Sequence, residues 1–176
     1  MINLGSYIFS IPPDVFEKIK PLLEEIDRLD GSWNDTPDEK RSEIIEKQSE
    51  LKDKIEKLLL NAEVKKEELE FDADGDRIPV EMGMILGFRN ILFLEIDPNL
   101  RSFFGKYPLS PEEVKKLTNR ILYLIENADA KQRMLDYVKN DHENYPEKRI
   151  DELFDIWISM LKYSSEHGNW LHYHID

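Results

Sequence analysis

The chain has 176 residues, with 37 acidic and 24 basic side chains, no cysteine and a formal net charge of −13. This length predicts one domain over residues 1–176. The absence of cysteine excludes disulfides, thiolate metal sites and cysteine nucleophiles. The negative charge disfavours nucleic acid as a partner, and no apolar run approaches the roughly 20 residues that cross a bilayer. We therefore expect a cytoplasmic protein that binds neither nucleic acid nor membranes, while its oligomeric state stays open.

The N-terminal part of the chain predicts a strand followed by two helices. Residues 7–11 are strand formers, and a helix begins near Pro13 because proline suits the first helical turn. Thr36 and Glu39 have the spacing of a capping box around Pro37. Apolar residues then recur at spacings of four and three, which predicts a long, charged helix over about 37–69.

The C-terminal part predicts two further strands and two further helices. Residues 91–96 form an apolar run that ends at a turn, which favours a strand. Ser110 begins a second capping-box pattern, and Pro146 marks another helix start. Gly168 is a typical helix stop, and residues 169–176 after it are strand formers.

Together these elements predict an α+β fold. We expect a small sheet of three to four strands that includes both termini. Four to five helices cover it, and one of them is long and charged.

A cluster of three carboxylates, Asp72, Asp74 and Asp76, lies around Gly75. Carboxylates at alternate positions around a glycine suit a hard cation such as Mg²⁺ or Ca²⁺. The string from Glu70 to Glu81 also approximates an EF-hand loop, with glycine at position six and glutamate at position twelve, although position one is Glu rather than Asp. The alternative is a solvated acidic turn, which Asp and Gly favour on their own.

A second candidate metal site lies at the C-terminal end of the chain. On a strand, Trp170, His172, His174 and Asp176 share one face, while the intervening residues form the core face. Two imidazoles and a carboxylate are ordinary zinc ligands. The alternative is that a helix covers this face and the histidines pack beside Trp170.

An aromatic segment between two turn signals is apolar for a loop. The residues predicted to meet a partner are Phe103, Phe104 and Tyr107, together with Trp170. Packing in the core is the alternative for these rings.

Residues 4–19, 104–114 and 161–171 resemble the YfbM-like family of small, uncharacterised bacterial proteins. They combine a strand and helix start, a capped helix start, and a helix–glycine–strand ending. The resemblance implies an α+β fold of similar size and no established reaction. The long charged helix in the middle of this chain departs from the family pattern.

The sequence contains no Gly-x-Ser-x-Gly elbow and no glycine-rich phosphate loop. We therefore expect a soluble acidic protein that acts by protein–protein interaction, as an immunity-type or inhibitor protein for a basic partner such as a nuclease toxin. The alternative is a metal-dependent hydrolase that uses the Asp72, Asp74 and Asp76 loop or the C-terminal histidine face. A divalent cation is the only cofactor that these patterns suggest.

Overall fold

The computed structural model describes residues 6–70 and 80–175, which form three strands and six α-helices. The strands are β1 (Ser6–Ile11), β2 (Lys65–Leu69) and β3 (Trp170–Ile175). The helices are α1 (Pro13–Ser32), α2 (Arg41–Asn61), α3 (Val80–Ile91), α4 (Pro111–Asn127), α5 (Ala130–Asp141) and α6 (Glu147–His167). The prediction of an α+β fold is confirmed, with one α-helix more than expected.

The sheet is antiparallel, with strand order β2-β1-β3. Ile8 lies opposite Glu67 on one side and Tyr173 on the other. All six residues of β1 are buried, because this central strand has a neighbour on each edge and helices on each face.

Helices cover both faces of the sheet. Phe9 and Ile11 pack against α1 and α2 in one apolar cluster, which also contains Ile19 and Leu59. Ile8 points the opposite way, into a larger cluster formed mainly by α3 to α6. The alternation of side chains along β1 therefore divides the core into two layers.

The strongest helix signals of the sequence are confirmed. Ser110 caps α4: its hydroxyl accepts a hydrogen bond from the Glu113 N–H, and the Glu113 carboxylate accepts one from the Ser110 N–H. Gly168 ends α6 with a φ of 64°, a left-handed conformation that glycine adopts without a Cβ clash. The strands at both ends of the described chain also lie where their residues predict.

The predicted helix over 37–69 is too long. A 3₁₀ turn precedes α2, which ends at Asn61, and Lys65–Leu69 form β2. The Thr36 hydroxyl donates to the Ser32 carbonyl instead of capping a helix. Pairing with β1 makes 65–69 a strand, since only Leu69 of that segment is buried and its local pattern gives no strand signal.

The predicted strand over 91–96 is wrong. The apolar run continues α3 as a π-helical turn over Leu92–Ile96, and the Asp97 N–H donates to the Leu92 carbonyl at 2.8 Å. Leu92 and Phe93 are completely buried. A short apolar run fits a buried helix as well as a buried strand, so periodicity does not separate the two.

Candidate functional site

The C-terminal histidines lie on one face of β3, beneath α1 and α2. His172 is opposite Phe9 and His174 is opposite Tyr7 in the sheet register. Both imidazoles are buried, with 7% and 2% of the residue exposed, and their ring centroids are 5.7 Å apart. The predicted shared face is therefore correct, and a helical layer covers it.

Neither imidazole is fully satisfied by the protein. His172 Nδ1 and His174 Nε2 have no hydrogen-bond partner among the described residues. Burial, with the neighbouring His174, lowers the pKa of His172 to about 3. Burial, with the positive charge of Lys52, lowers the pKa of His174 to about 4. Both rings are therefore neutral at physiological pH, and one nitrogen of each is buried without a hydrogen bond among the described residues.

The described residues hold no group of three or more His, Asp or Glu side chains arranged for a metal ion. The carboxylate nearest to the pair belongs to Glu56, whose Oε2 lies 3.9 Å from His174 Nε2, too far for a hydrogen bond. The predicted ligands Asp72, Asp74, Asp76 and Asp176 lie outside the described residues.

The histidines line a cavity of about 410 Å³ between α1, α2 and the outer edge of β3. Leu23, Ile26 and Ile55 supply apolar walls. The charged and amide groups of the lining are Asp27, Asp30, Gln48 and Lys52. The volume is in the range of small-molecule sites.

Some polar side chains that line the cavity have hydrogen-bond or ion-pair partners among the described residues, and others do not. The Gln48 amide donates to Asp30 Oδ1 at 2.5 Å and connects α1 to α2. Asp27, on α1, and Lys52, on α2, have no ion-pair partner within the described chain. Sequence patterns did not identify these two residues, because they lie 25 positions apart and only helix packing brings them to one cavity.

The four aromatic residues predicted to meet a partner divide into two pairs. Phe103 is buried near Phe93, and Trp170 stacks on Phe16 with ring centroids 3.6 Å apart. Phe104 and Tyr107 are about half exposed. Of these four residues, Phe104 and Tyr107 therefore present the larger aromatic surfaces to solvent.

Tyr107 lies over a buried cation. Arg89 is 2% exposed, and its guanidinium carbon lies 4.6 Å from the Tyr173 ring centroid and 5.4 Å from that of Tyr107. Arg89 Nε has no hydrogen-bond partner among the described residues, and Nη2 makes only a long contact of 3.5 Å with the Lys106 carbonyl. Cation–π contacts thus hold Tyr107 against the rest of the fold beside the cavity.

The EF-hand interpretation fails at Glu81. Its side chain is completely buried, and its two oxygens accept hydrogen bonds from Arg149 Nε and Nη2 at 2.7 and 2.8 Å. The Tyr145 hydroxyl and the Glu70 N–H also donate to it. Burial favours the neutral acid, but these hydrogen bonds outweigh it and lower the pKa of Glu81. Its oxygens already have partners within the protein, so Glu81 joins α3 to α6 rather than completing a calcium site.

An acidic surface lies beside the cavity, where the C-terminal half of α1 packs against the N-terminal half of α2. Residues 24–50 carry 10 acidic and 4 basic side chains, a net charge of −6 out of −13 for the whole chain. Nine of the ten acidic residues are exposed. We call this surface the acidic end, and its exposed acids are Glu24, Asp27, Asp30, Asp35, Asp38, Glu39, Glu43, Glu46 and Glu50.

Most basic side chains of the acidic end already have partners. Arg28 makes two hydrogen bonds of 2.7 Å to Glu25, which lower the pKa of that carboxyl to about 2, and Lys47 Nζ lies 3.6 Å from Glu25 Oε1. Arg41 pairs with Asp38. Lys40 alone of the four has no ion-pair partner among the described residues. The other exposed carboxylates of this surface therefore lack a neutralising cation within the described chain.

Comparison of the chain with protein-family models, with curated proteins and with solved structures gave no match. None of the described helices is both long and apolar enough to cross a membrane.

Proposed function

We propose that this protein acts by binding a basic partner protein through the acidic end, in the manner of an immunity or inhibitor protein. The observation that carries the proposal is the set of nine exposed carboxylates, three on α1, three on α2 and three in the 3₁₀ turns that join these packed helices. Glu39, Glu43, Glu46 and Glu50 follow one another at spacings of four, three and four, so they form one stripe along α2 and the turn before it.

Such a surface favours association with a positively charged protein for two reasons. Its field raises the rate of encounter with a basic partner, and it repels nucleic acid that would compete for the same partner. Ile45, next to Glu46 in the chain, adds an exposed apolar side chain to α2, with 55% of the residue accessible. Protein–protein interfaces commonly combine a polar rim with an apolar core.

Two other expectations belong to the same proposal. The absence of cysteine fits the reducing cytoplasm, where we place the protein. The resemblance to the YfbM-like family implies no reaction and is compatible with a binding role.

The test begins with capture of partners from the native host at low salt and continues with a purified captured protein of basic isoelectric point. Its dissociation constant is measured by calorimetry at low and high ionic strength. Charge attraction is screened over roughly 10 Å at 0.1 M salt and roughly 3 Å at 1 M, so the affinity should fall about tenfold or more between these conditions.

A matched pair of variants locates the interface. One replaces Glu39, Glu43, Glu46 and Glu50 with glutamine and should weaken binding about tenfold or more. The control makes the same change of charge elsewhere, at exposed glutamates without a hydrogen bond or ion pair among the described residues: Glu95, Glu126, Glu143 and Glu166. Equal weakening by both variants would show only a general effect of net charge, and it would overturn the proposed interface. Capture of no basic protein at low salt would overturn the proposed function itself.

A further inference from the structure

The cavity between α1, α2 and β3 has a second feature that partner binding at the acidic end does not use. Two buried imidazoles line it, and each has an unpartnered ring nitrogen, His172 Nδ1 and His174 Nε2. Since both nitrogens are fully buried, the neutral rings contribute a wall to the cavity and no charge.

The charges on the cavity walls have opposite signs and come from different helices. Asp27 belongs to α1 and Lys52 to α2, and neither makes an ion pair with another described residue. Asp30, the other acid of the lining, already accepts a hydrogen bond from Gln48. The cavity therefore offers one carboxylate and one ammonium group that remain available to a ligand.

Apolar side chains make up the rest of the walls. Leu23 and Ile26 come from α1, Ile55 from α2 and Ile175 from β3. These residues suit a ligand with a short hydrocarbon portion, since burial of apolar surface is favourable. The volume of about 410 Å³ accommodates a molecule with the size of an amino acid or a dipeptide.

We propose that this cavity binds a small zwitterion of the amino acid or dipeptide class. Its ammonium group pairs with Asp27 and its carboxylate with Lys52, while the neutral rings of His172 and His174 form part of the wall. A simple anion would leave Asp27 unpaired, and a simple cation would leave Lys52 unpaired. A zwitterion uses both charges. The cavity shares Asp27 with the acidic end, but Lys52 and the histidine wall belong to the cavity alone.

The experiment screens the full-length protein against the standard L-amino acids and a panel of dipeptides at millimolar concentration. Binding is followed through the imidazole carbon–proton NMR signals of His172 and His174 and is quantified by calorimetry. We expect at least one compound to shift both signals. Its N-acetyl derivative and its carboxamide each lack one of the two charges, so each should bind about tenfold more weakly or worse.

Paired variants test whether Asp27 and Lys52 each contribute to binding. Asp27→Asn and Lys52→Met should each weaken binding of the selected compound about tenfold. The controls Asp141→Asn and Lys115→Met change the same charges at exposed positions on α5 and α4 and should leave its affinity unchanged. Asp27 is exposed and Lys52 half-buried, so both cavity variants should fold, which circular dichroism verifies.

Three outcomes would overturn this inference: no compound shifts the two histidine signals, the blocked derivatives bind as tightly as the zwitterion, or the cavity variants retain full affinity. None of these outcomes bears on the salt-dependent partner binding, so the two proposals fail separately.

Discussion

Acidification should destabilise this protein through His172 and His174. In the folded protein, burial and the neighbouring imidazole hold the pKa of His172 at about 3, and burial with the nearby Lys52 holds that of His174 at about 4. The reference value of an exposed histidine is 6.5. Between these pKa values the unfolded chain therefore binds two protons that the folded protein does not bind. Their contribution to stability is fully present above about pH 6.5 and is lost as the pH falls toward the folded values.

The size of this effect follows from the two pKa differences. Between about pH 6 and pH 4.5, each histidine lowers the free energy of unfolding by at most about 1.4 kcal/mol for each unit of pH. From pH 7.5 to pH 5, each contributes a loss of about 2 kcal/mol, or about 4 kcal/mol for the pair. Domains of this size are stable by only about 5–15 kcal/mol, so the loss is a large part of the total.

Urea unfolding at a series of pH values between 7.5 and 5 measures this loss. The comparison protein carries His172→Gln and His174→Gln, which keep a polar side chain of similar size but cannot be protonated. Both proteins share every carboxylate, so the difference between their free energies of unfolding isolates the two histidines. This difference should change by about 4 kcal/mol over the series, and each single variant should show about half of it.

NMR supplies an independent measurement of the same protonation. The imidazole carbon–proton signals of His172 and His174 should not titrate between pH 7.5 and pH 5, because both rings stay neutral in the folded state. Parallel stability curves for wild type and the double variant would refute the reasoning. So would a midpoint near 6.5 for either ring, since that would place the ring in contact with water.

Three substitutions test other contacts of the fold by urea unfolding at neutral pH. Glu81→Gln should destabilise the protein by about 3 kcal/mol, since it removes the carboxylate that Arg149 and Tyr145 share, and a loss below about 0.5 kcal/mol would contradict a strong network. Ser110→Ala removes the acceptor for the Glu113 N–H at the start of α4 and should cost about 1 kcal/mol, whereas no change would mean that water replaces the cap. Gly168→Ala should cost about 1–2 kcal/mol because φ is 64° there, and a neutral effect would show that the backbone relaxes.

Local signals were sufficient where one short segment determines its own conformation. The cap at Ser110 needs only the hydroxyl and the glutamate three residues later, and the helix stop at Gly168 needs only the missing Cβ. The strands at 6–11 and 170–175 are rich in residues that fit a pleated, buried surface. These features could be predicted because the residues of each short segment carry a strong local preference.

The conformation of two elements could not be predicted from the sequence, because it depends on contacts with distant parts of the chain. Lys65–Leu69 is highly charged and becomes a strand only by pairing with β1, some sixty residues earlier in the chain. The run at 91–96 is apolar enough for either a strand or a helix, and its burial among α3 and neighbouring elements makes it helical. In both cases tertiary contacts outweigh a weak local preference.

The sequence by itself determined that His172 and His174 share a face, since side chains alternate along any strand. It also determined the net charge of −13, of which −6 falls within residues 24–50. Only the tertiary structure decided that α1 and α2 cover the histidines, leave their nitrogens unpartnered, and bring Asp27 and Lys52 to the same cavity. The same packing gathers the acids of residues 24–50 onto one surface. The physical reason is that burial and electrostatic fields depend on distances in space, which helix packing sets and spacing along the chain does not.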